Sequence, residues 1–338
     1  MTDIGLDLSN ALAHRVQANV PFTPRPFAQI GDDLGLDESG VIDCLVRWQA
    51  EEKLREVSAI LEGSALGYDS ALVAGKVPET RLDEVAAIVN EHPTVTHNYL
   101  RNHAYNLWFT IAVPSEMGLA ATLDRLARLA GVDAFHPLRR THTFKVGVNF
   151  DLVSKQSVTE LVALPTVSAV DAGELERRMF RALQTPLPIT AQPFAALAKE
   201  FDLDERALLE FGARHLGSAM RRYVATFRHR KLGVRGNGMV VWNVSADDLP
   251  RLGPILAAAP EVSHCYARNA IPGFDYTLYS MIHGPDEAAC RRVAGEIASR
   301  IGVDDYLILF SSREYKKCRL RYFLPELDAW WTAHRGIA

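Results

Sequence analysis

The segment Val95–Val113, VTHNYLRNHAYNLWFTIAV, decides how this chain is read. Strand side chains alternate between two faces, so its first half places Val95, His97, Tyr99, Arg101 and His103 together. A sheet with only packing to do would carry aliphatic residues there. Imidazole, phenol, guanidinium and imidazole stand in a row instead. The chain then turns near His103–Asn106 and returns through the apolar run Leu107–Val113, with Trp108 and Phe109. Such a hairpin suits a flat aromatic anion, with rings to stack on, arginine for carboxylates and histidine for a metal or a proton.

The segment recurs at Val262–Met281, VSHCYARNAIPGFDYTLYSM. His264, Tyr266, Arg268 and Asn269 answer His97, Tyr99, Arg101 and Asn102, while Ala270 stands where His103 would be. Working outward, Gln17, Pro21 and Thr23 recur 167 positions later as Gln184, Pro188 and Thr190. Pro26–Phe27 recurs as Pro193–Phe194, Leu36-Asp37-Glu38 as Leu203-Asp204-Glu205, and Leu66–Gly67 as Leu232–Gly233, one residue out of step. One offset held this long marks a tandem duplication, with its boundary near Ser168–Glu174.

Each unit reads the same way. Helices are predicted at Leu8–Val20, Phe27–Leu34 and Glu38–Glu51 in the first, and at Leu175–Leu187, Phe194–Phe201 and Glu205–His215 in the second. The last two of each set form a helix–turn–helix, with Asp37 and Asp204 as N-caps. A strand at Ser70–Val77, a helix at Thr80–Asn90, the hairpin, a helix at Met117–Ala130 and a strand near Val132–Pro137 complete unit one. Met239–Val244, Leu249–Ala259, Val262–Met281, Asp286–Ile301 and Tyr306–Ser311 repeat this in unit two. The pattern is the ferredoxin-like βαββαβ arrangement. The expected layout is therefore α+β, with helix–turn–helix domains at 1–60 and 168–226 and ferredoxin-like domains at 61–167 and 227–338. An extra extended segment follows each last strand, at Thr141–Phe150 and Arg313–Leu324.

Size and composition agree with such a globular, multi-domain chain: 338 residues, 48% hydrophobic and 23% charged. The formal charge of −4 argues against a protein built mainly to grip nucleic acid. Four cysteines, Cys44, Cys265, Cys290 and Cys318, include no C-x-x-C pair, so neither a zinc site nor a disulfide framework is expected. No apolar run approaches the ~18–20 residues of a membrane span, and the acidic start MTDIGLDLSN lacks a signal-peptide layout. A cytoplasmic location is expected.

The helix–turn–helix reads as structural. A helix that reads DNA offers Arg, Lys, Asn or Gln to bases and phosphates. The second helix of unit one sets Glu38, Asp43, Glu51 and Glu52 against Arg47 alone, and in unit two Arg206 and Arg214 are balanced by Glu205 and Glu210. The glycine cluster Gly233, Gly236 and Gly238 precedes a strand instead of opening a helix after one, so it reads as a turn and not a phosphate loop. His97/His103 and His136/His142 do not have zinc spacing. The tails carry more. In Arg313–Arg321, REYKKCRLR, alternation puts Arg313, Tyr315, Lys317, Arg319 and Arg321 on one face. Arg139, Arg140 and Lys145 form a smaller basic group in unit one. A basic strand face beside a His/Tyr/Arg hairpin suits a ligand with several carboxylates.

These residues resemble a known family. HNYLRNHAYNLWFTIAVP in unit one, with HCYARN, DYTLYSMIHG and REYKKCRLRYF in unit two, are similar to the siroheme decarboxylases, which are built on the Lrp/AsnC regulator fold of a winged helix and a ferredoxin-like ligand-binding domain. The likeness spans nearly the whole chain, with unit one resembling the D-type and unit two the L-type subunit. It implies a fused enzyme in which the two units pair as a pseudo-dimer. The implied activity is conversion of two acetate side chains of siroheme to methyl groups, giving 12,18-didecarboxysiroheme in haem d1 biosynthesis. Siroheme is then the substrate, with no added cofactor, and further homologous subunits are conceivable partners. This chain departs from the family at His136–Pro137, where relatives carry Leu-Pro, and in the unit-two turn AIPGFDY.

Loss of CO2 leaves carbanion-like density that must be protonated, a task suited to an imidazole of near-neutral pKa. On this reading His103 is the acid or a ligand of the siroheme iron, with Tyr105 a second donor and Arg101 beside them. Arginine on the reacting carboxylate would stabilise the ground state, so the basic residues are assigned to spectator carboxylates. The substrate-binding set is His97, Tyr99, Trp108, Arg139, Arg140, Lys145, His264, Tyr266, Arg268, Tyr276, Arg313, Tyr315, Lys317 and Arg319. Two rivals remain at this level: a regulator of Lrp/AsnC type, and a tetrapyrrole carrier without catalysis.

Overall fold

The computed structural model describes residues 6–150, 157–160, 170–227 and 236–336. Gly233 and the duplication boundary at Ser168 lie outside them. Unit one contains α1 (Leu6–Ala18), α2 (Pro26–Leu34), α3 (Glu38–Ala50), β1 (Leu54–Leu61), β2 (Tyr68–Gly75), α4 (Leu82–Glu91), β3 (His97–Arg101), β4 (Leu107–Pro114), α5 (Leu119–Ala130), β5 (Phe135–Leu138), β6 (Arg140–Phe150) and β7 (Ser157–Glu160). Unit two contains α6 (Glu174–Gln184), α7 (Pro193–Glu200), α8 (Glu205–His215), β8 (Met220–Phe227), β9 (Gly236–Trp242), α9 (Leu249–Ala257), β10 (Val262–Arg268), β11 (Leu278–Gly284), α10 (Glu287–Ile301), β12 (Tyr306–Lys317) and α11 (Pro325–Ala333).

Local chemistry sets the helix boundaries. The Asp37 carboxylate accepts the Gly40 amide at 3.0 Å, and Asp204 accepts that of Ala207 at 2.8 Å, as each side chain was expected to do. Gly35 closes α2 in the left-handed region (φ 68°), where a side chain would be strained. In α5 the buried residues Leu119, Leu123, Leu126 and Ala130 fall on one helical stripe against the sheet.

Each unit builds a four-stranded antiparallel sheet, β5-β2-β4-β3 in the first and β12-β9-β11-β10 in the second. Helices cover one face of each, over cores containing Val85, Leu107 and Phe109 or Cys265, Leu278 and Ile297. Between the sheets lies a further core with Tyr105, Trp108, Val241, Phe274, Tyr279 and Leu309.

The sequence indicated pairing of the units, and the structure shows how it is achieved. The extended tails are exchanged. β12 pairs with its own β9 through Tyr306–Phe310 and then with β3 of unit one through Ser311–Lys317. Reciprocally, β5 pairs with its own β2, and β6, one residue further on, pairs with β10 of unit two. The helix–turn–helix modules are also joined. β1 and β8 form a two-stranded sheet, and the Val20 amide donates to Tyr223 O as the Leu187 amide does to Val57 O, both at 2.8 Å. Their helices share one core containing Phe27, Leu45, Phe180 and Phe194. Among the described residues no helix is long and apolar enough to cross a membrane.

Candidate functional site

A cavity of about 810 Å³ opens between the two sheets, at the upper end of the roughly 300–1,000 Å³ usual for small-molecule sites. Alternation along β3 aims His97, Tyr99 and Arg101 into it, while Asn98 turns back to α4 and donates to Asn90 Oδ1 at 3.0 Å. β10 repeats this with His264, Tyr266 and Arg268.

The two half-sites match in detail. Arg101 Nη1 donates to Leu309 O, and Arg268 Nη1 to Leu138 O, each at 2.7 Å. Each guanidinium therefore holds the strand of the other unit where it crosses over. Arg101 lies over the Tyr99 ring at 5.5 Å and Arg268 over Tyr266 at 5.4 Å. Burial lowers both guanidinium pKa values to about 10, so both stay charged at neutral pH. Neither Nε atom has a hydrogen-bond partner among the described residues. Two buried cations with donors to spare call for an anion.

Burial favours the neutral form of both histidines. Burial depresses His97, with the Lys317 charge adding to it, and lowers His264 to about 4, with His283 and Lys145 contributing. Thr96 Oγ1 meets His97 Nδ1 at 3.1 Å, and Ser263 Oγ meets His264 Nδ1 at 2.9 Å.

Bulges explain which tail residues reach the cavity. Register shifts between Ser311 and Arg313, and between Glu314 and Lys316, interrupt the alternation of β12 against β3. Matching shifts occur in β6, between the partners of Cys265 and Tyr266 and of Ala267 and Arg268. Arg313, Lys317 and Arg140 line the cavity, as does Trp108. The rest of the expected set is engaged elsewhere. Arg313 itself also pairs with Asp83, to which the Tyr315 hydroxyl donates at 3.0 Å. Arg319, beyond the end of β12, binds Glu56, Ser58 and Ala59 O. Arg139 pairs with Asp69, Tyr276 donates to Asp305 at 3.0 Å, and buried Lys145 donates to Ala259 O at 3.0 Å.

His103 and Tyr105 are also outside. β3 ends at Arg101, where the turn closes with the Arg101 amide on Asn106 O, so alternation stops short of His103. The His103 ring lies against Phe274, its Nδ1 accepts the Tyr105 amide at 3.0 Å, and it borders a separate depression with Arg291 and Asp304. Tyr105 is buried with its hydroxyl on Pro272 O at 2.6 Å.

Residues not singled out from the sequence include Tyr279, His283 and Glu314, which line the cavity, and Ser263, which meets the His264 ring from behind. The repeat signals two of them. A hydroxyl precedes the histidine in both copies, as Thr96 and Ser263, and the hairpin registers place Tyr279 opposite Tyr266 as Trp108 is opposite Tyr99. Tyr279 Oη has no partner among the described residues, and burial pushes its pKa far up.

Comparison with known proteins agrees with this architecture. The AsnC-like ligand binding domain family matches residues 65–145 and 231–316, and the siroheme decarboxylase NirDL-like HTH domain family matches 10–55 and 176–214. A siroheme decarboxylase of Hydrogenobacter thermophilus is 34% identical over 94% of this chain and 95% of its own. A siroheme decarboxylase alpha subunit of Desulfovibrio desulfuricans is 42% identical over 40% of this chain and 78% of its own. The crystal structure of the siroheme decarboxylase NirDL in co-complex with an iron-uroporphyrin III analogue superposes with a TM-score of 0.82 at 29% identity, covering 97% of this chain and 98% of that one. With two winged-helix and two ferredoxin-like halves in a single polypeptide, this chain belongs to the siroheme decarboxylase family in its fused form.

Proposed function

We propose that this protein decarboxylates siroheme, converting two acetate side chains to methyl groups, in the cavity between its two sheets. One observation carries the reading: two buried arginines, stacked on tyrosines across one cavity, each with an Nε donor that the described protein leaves unpaired. A flat macrocycle edged with carboxylates supplies both the stacking surface and the anions. Arg101, Arg268 and Arg140 hold carboxylates that stay on the ring. The apolar wall between the sheets, with Trp108, Met239 and Phe310, takes water from the carboxylate that leaves. As the C–C bond breaks, CO2 departs and its electron pair remains on the methylene carbon, conjugated with the macrocycle. His97 and His264 are the cavity imidazoles from which we take the proton donor, in place of His103. Siroheme is substrate here, and the residues invoke no other cofactor.

Anaerobic incubation of the purified protein with siroheme, followed by mass analysis of the tetrapyrrole, tests this. Successive loss of one and two CO2 is expected. A spectral shift with unchanged mass in the complete protein would overturn the reading in favour of a carrier.

A further inference from the structure

The two half-sites match around their arginines but not behind their histidines. In unit two, Ser263 Oγ lies 2.9 Å from His264 Nδ1 and 2.6 Å from His283 Nε2, with Met281 O at 3.4 Å as a weaker acceptor. His283 is exposed at the mouth of the cavity, whereas His264 is largely buried inside it. Imidazole, hydroxyl and imidazole thus join solvent to the reacting space without a gap. In unit one, Thr96 Oγ1 reaches His97 Nδ1 at 3.1 Å and Thr110 Oγ1 at 2.8 Å, and the run stops at that second hydroxyl. The strand registers that pair His97 with Thr110 and His264 with Met281 put buried Ala112 in the place of His283.

From this difference we infer that Ser263 and His283 form a proton relay that recharges His264, making the unit-two face of the cavity the one that protonates the decarboxylated carbon. The inference rests on the decarboxylase reading. Its proton balance closes. His264 gives its Nε2 proton to the methylene carbon, forming the methyl C–H bond with the electron pair left by CO2. Its Nδ1 takes the Ser263 hydroxyl proton, Ser263 takes the Nε2 proton of His283, and His283 is reprotonated from water. One proton enters for each CO2 released. After product leaves, His264 returns to its Nε2–H tautomer by the reverse path at Nδ1 and uptake at Nε2. A hydroxyl has one proton to give and lone pairs to receive another, so Ser263 is the right kind of group between two rings. His283 and Ser263 act through His264 and are positioning residues.

The test uses the full chain and siroheme. His283→Ala should lower kcat about 100-fold, at the lower end of general acid–base contributions, with KM and the spectrum of bound siroheme unchanged. Imidazole added to the assay should restore its turnover, because the missing group is at the exposed end. Ser263→Ala should lose as much and not respond to imidazole, whereas Ser263→Thr keeps the hydroxyl and should retain activity. A kcat within twofold of wild type in both His283→Ala and Ser263→Ala would overturn the relay and leave the decarboxylase standing. So would a loss in His283→Ala that imidazole does not restore. Wild-type protein that releases no CO2 would overturn the reading and the relay together.

Discussion

Arg101 and Arg268 combine tasks that seldom fall to one side chain. Each closes the crossover of the other unit's strand through Nη1 and keeps Nε for a ligand, with no carboxylate of the described protein to neutralise it. Arg101→Ala and Arg268→Ala should each weaken siroheme binding by about 10- to 100-fold, corresponding to the ~1.5–3 kcal/mol of a charge-assisted hydrogen bond. Visible-spectrum titration reads this directly, and an unchanged Kd in both variants would remove the arginines from substrate binding. At this scale the sequence was a good guide wherever a strand was regular. His97, Tyr99 and Arg101, with their copies, share a face because the polypeptide alternates, and alternation needs no partner. His103 was assigned to that face by extending the count past Arg101. There a turn had already begun, and the Arg101 amide bonds Asn106 O across it. Side-by-side turnover of His103→Ala and His264→Ala separates the two assignments, with the larger loss expected in the second.

The helices before α11 and the ferredoxin-like strands followed from the sequence pattern to within a few residues, but β1, β7 and β8 did not, and neither did register. The bulges in β12 and β6 depend on what each strand meets in the other unit, and no local pattern in REYKKCRLR reports them. Lys145 is a support and not the expected anchor, and Lys316, off the expected basic face, is a support too. Lys145 Nζ donates to Ala259 O, and Lys316 Nζ donates to Asn90 O at 2.7 Å and His92 O at 3.4 Å, each under a helix end. The C-terminal helix α11 was not anticipated either. Its Trp330 packs on the buried His92 ring with centroids 4.4 Å apart. Burial, helped by Lys316 and His334, lowers the His92 pKa to about 3, whereas the unfolded chain would titrate near 6.5. The fold therefore favours the neutral ring. That contribution is complete above pH 6.5 and is lost progressively as pH falls toward 3, with a ceiling of roughly 3–5 kcal/mol. Between pH 6.5 and 4.5, urea midpoints of the wild type should fall more steeply than those of His92→Gln. Equal slopes would mean that α11 does not hold the imidazole dry.

For the molecule as a whole, duplication could be read from the 167-residue offset, and pairing of the units followed from the family resemblance. The reciprocal exchange of β6 and β12 could not, because a strand's sequence does not say whose sheet it completes. The exchange makes each half depend on the other: without unit two β3 is a bare edge, and without unit one so is the outer edge of β10. Cutting the chain between residues 150 and 170 should give two pieces that bind siroheme only when mixed, measured by titration of each piece and of the equimolar mixture. The relative of Desulfovibrio desulfuricans, named as an alpha subunit, corresponds to less than half of this chain. A single piece that binds siroheme as tightly as the intact protein would show that one unit suffices.

The unlike walls of the cavity have a consequence for the guest. A pocket on the axis of two identical chains offers any ligand two poses of equal energy, related by a half-turn. Here Ser311 stands beside Arg101 where Arg140 stands beside Arg268, and Trp108 answers Tyr279. The half-turn brings different atoms against the macrocycle, so one pose is preferred. A lopsided pigment with non-equivalent rings can then be held with a fixed left and right, and which acetate reacts first becomes a property encoded in the protein.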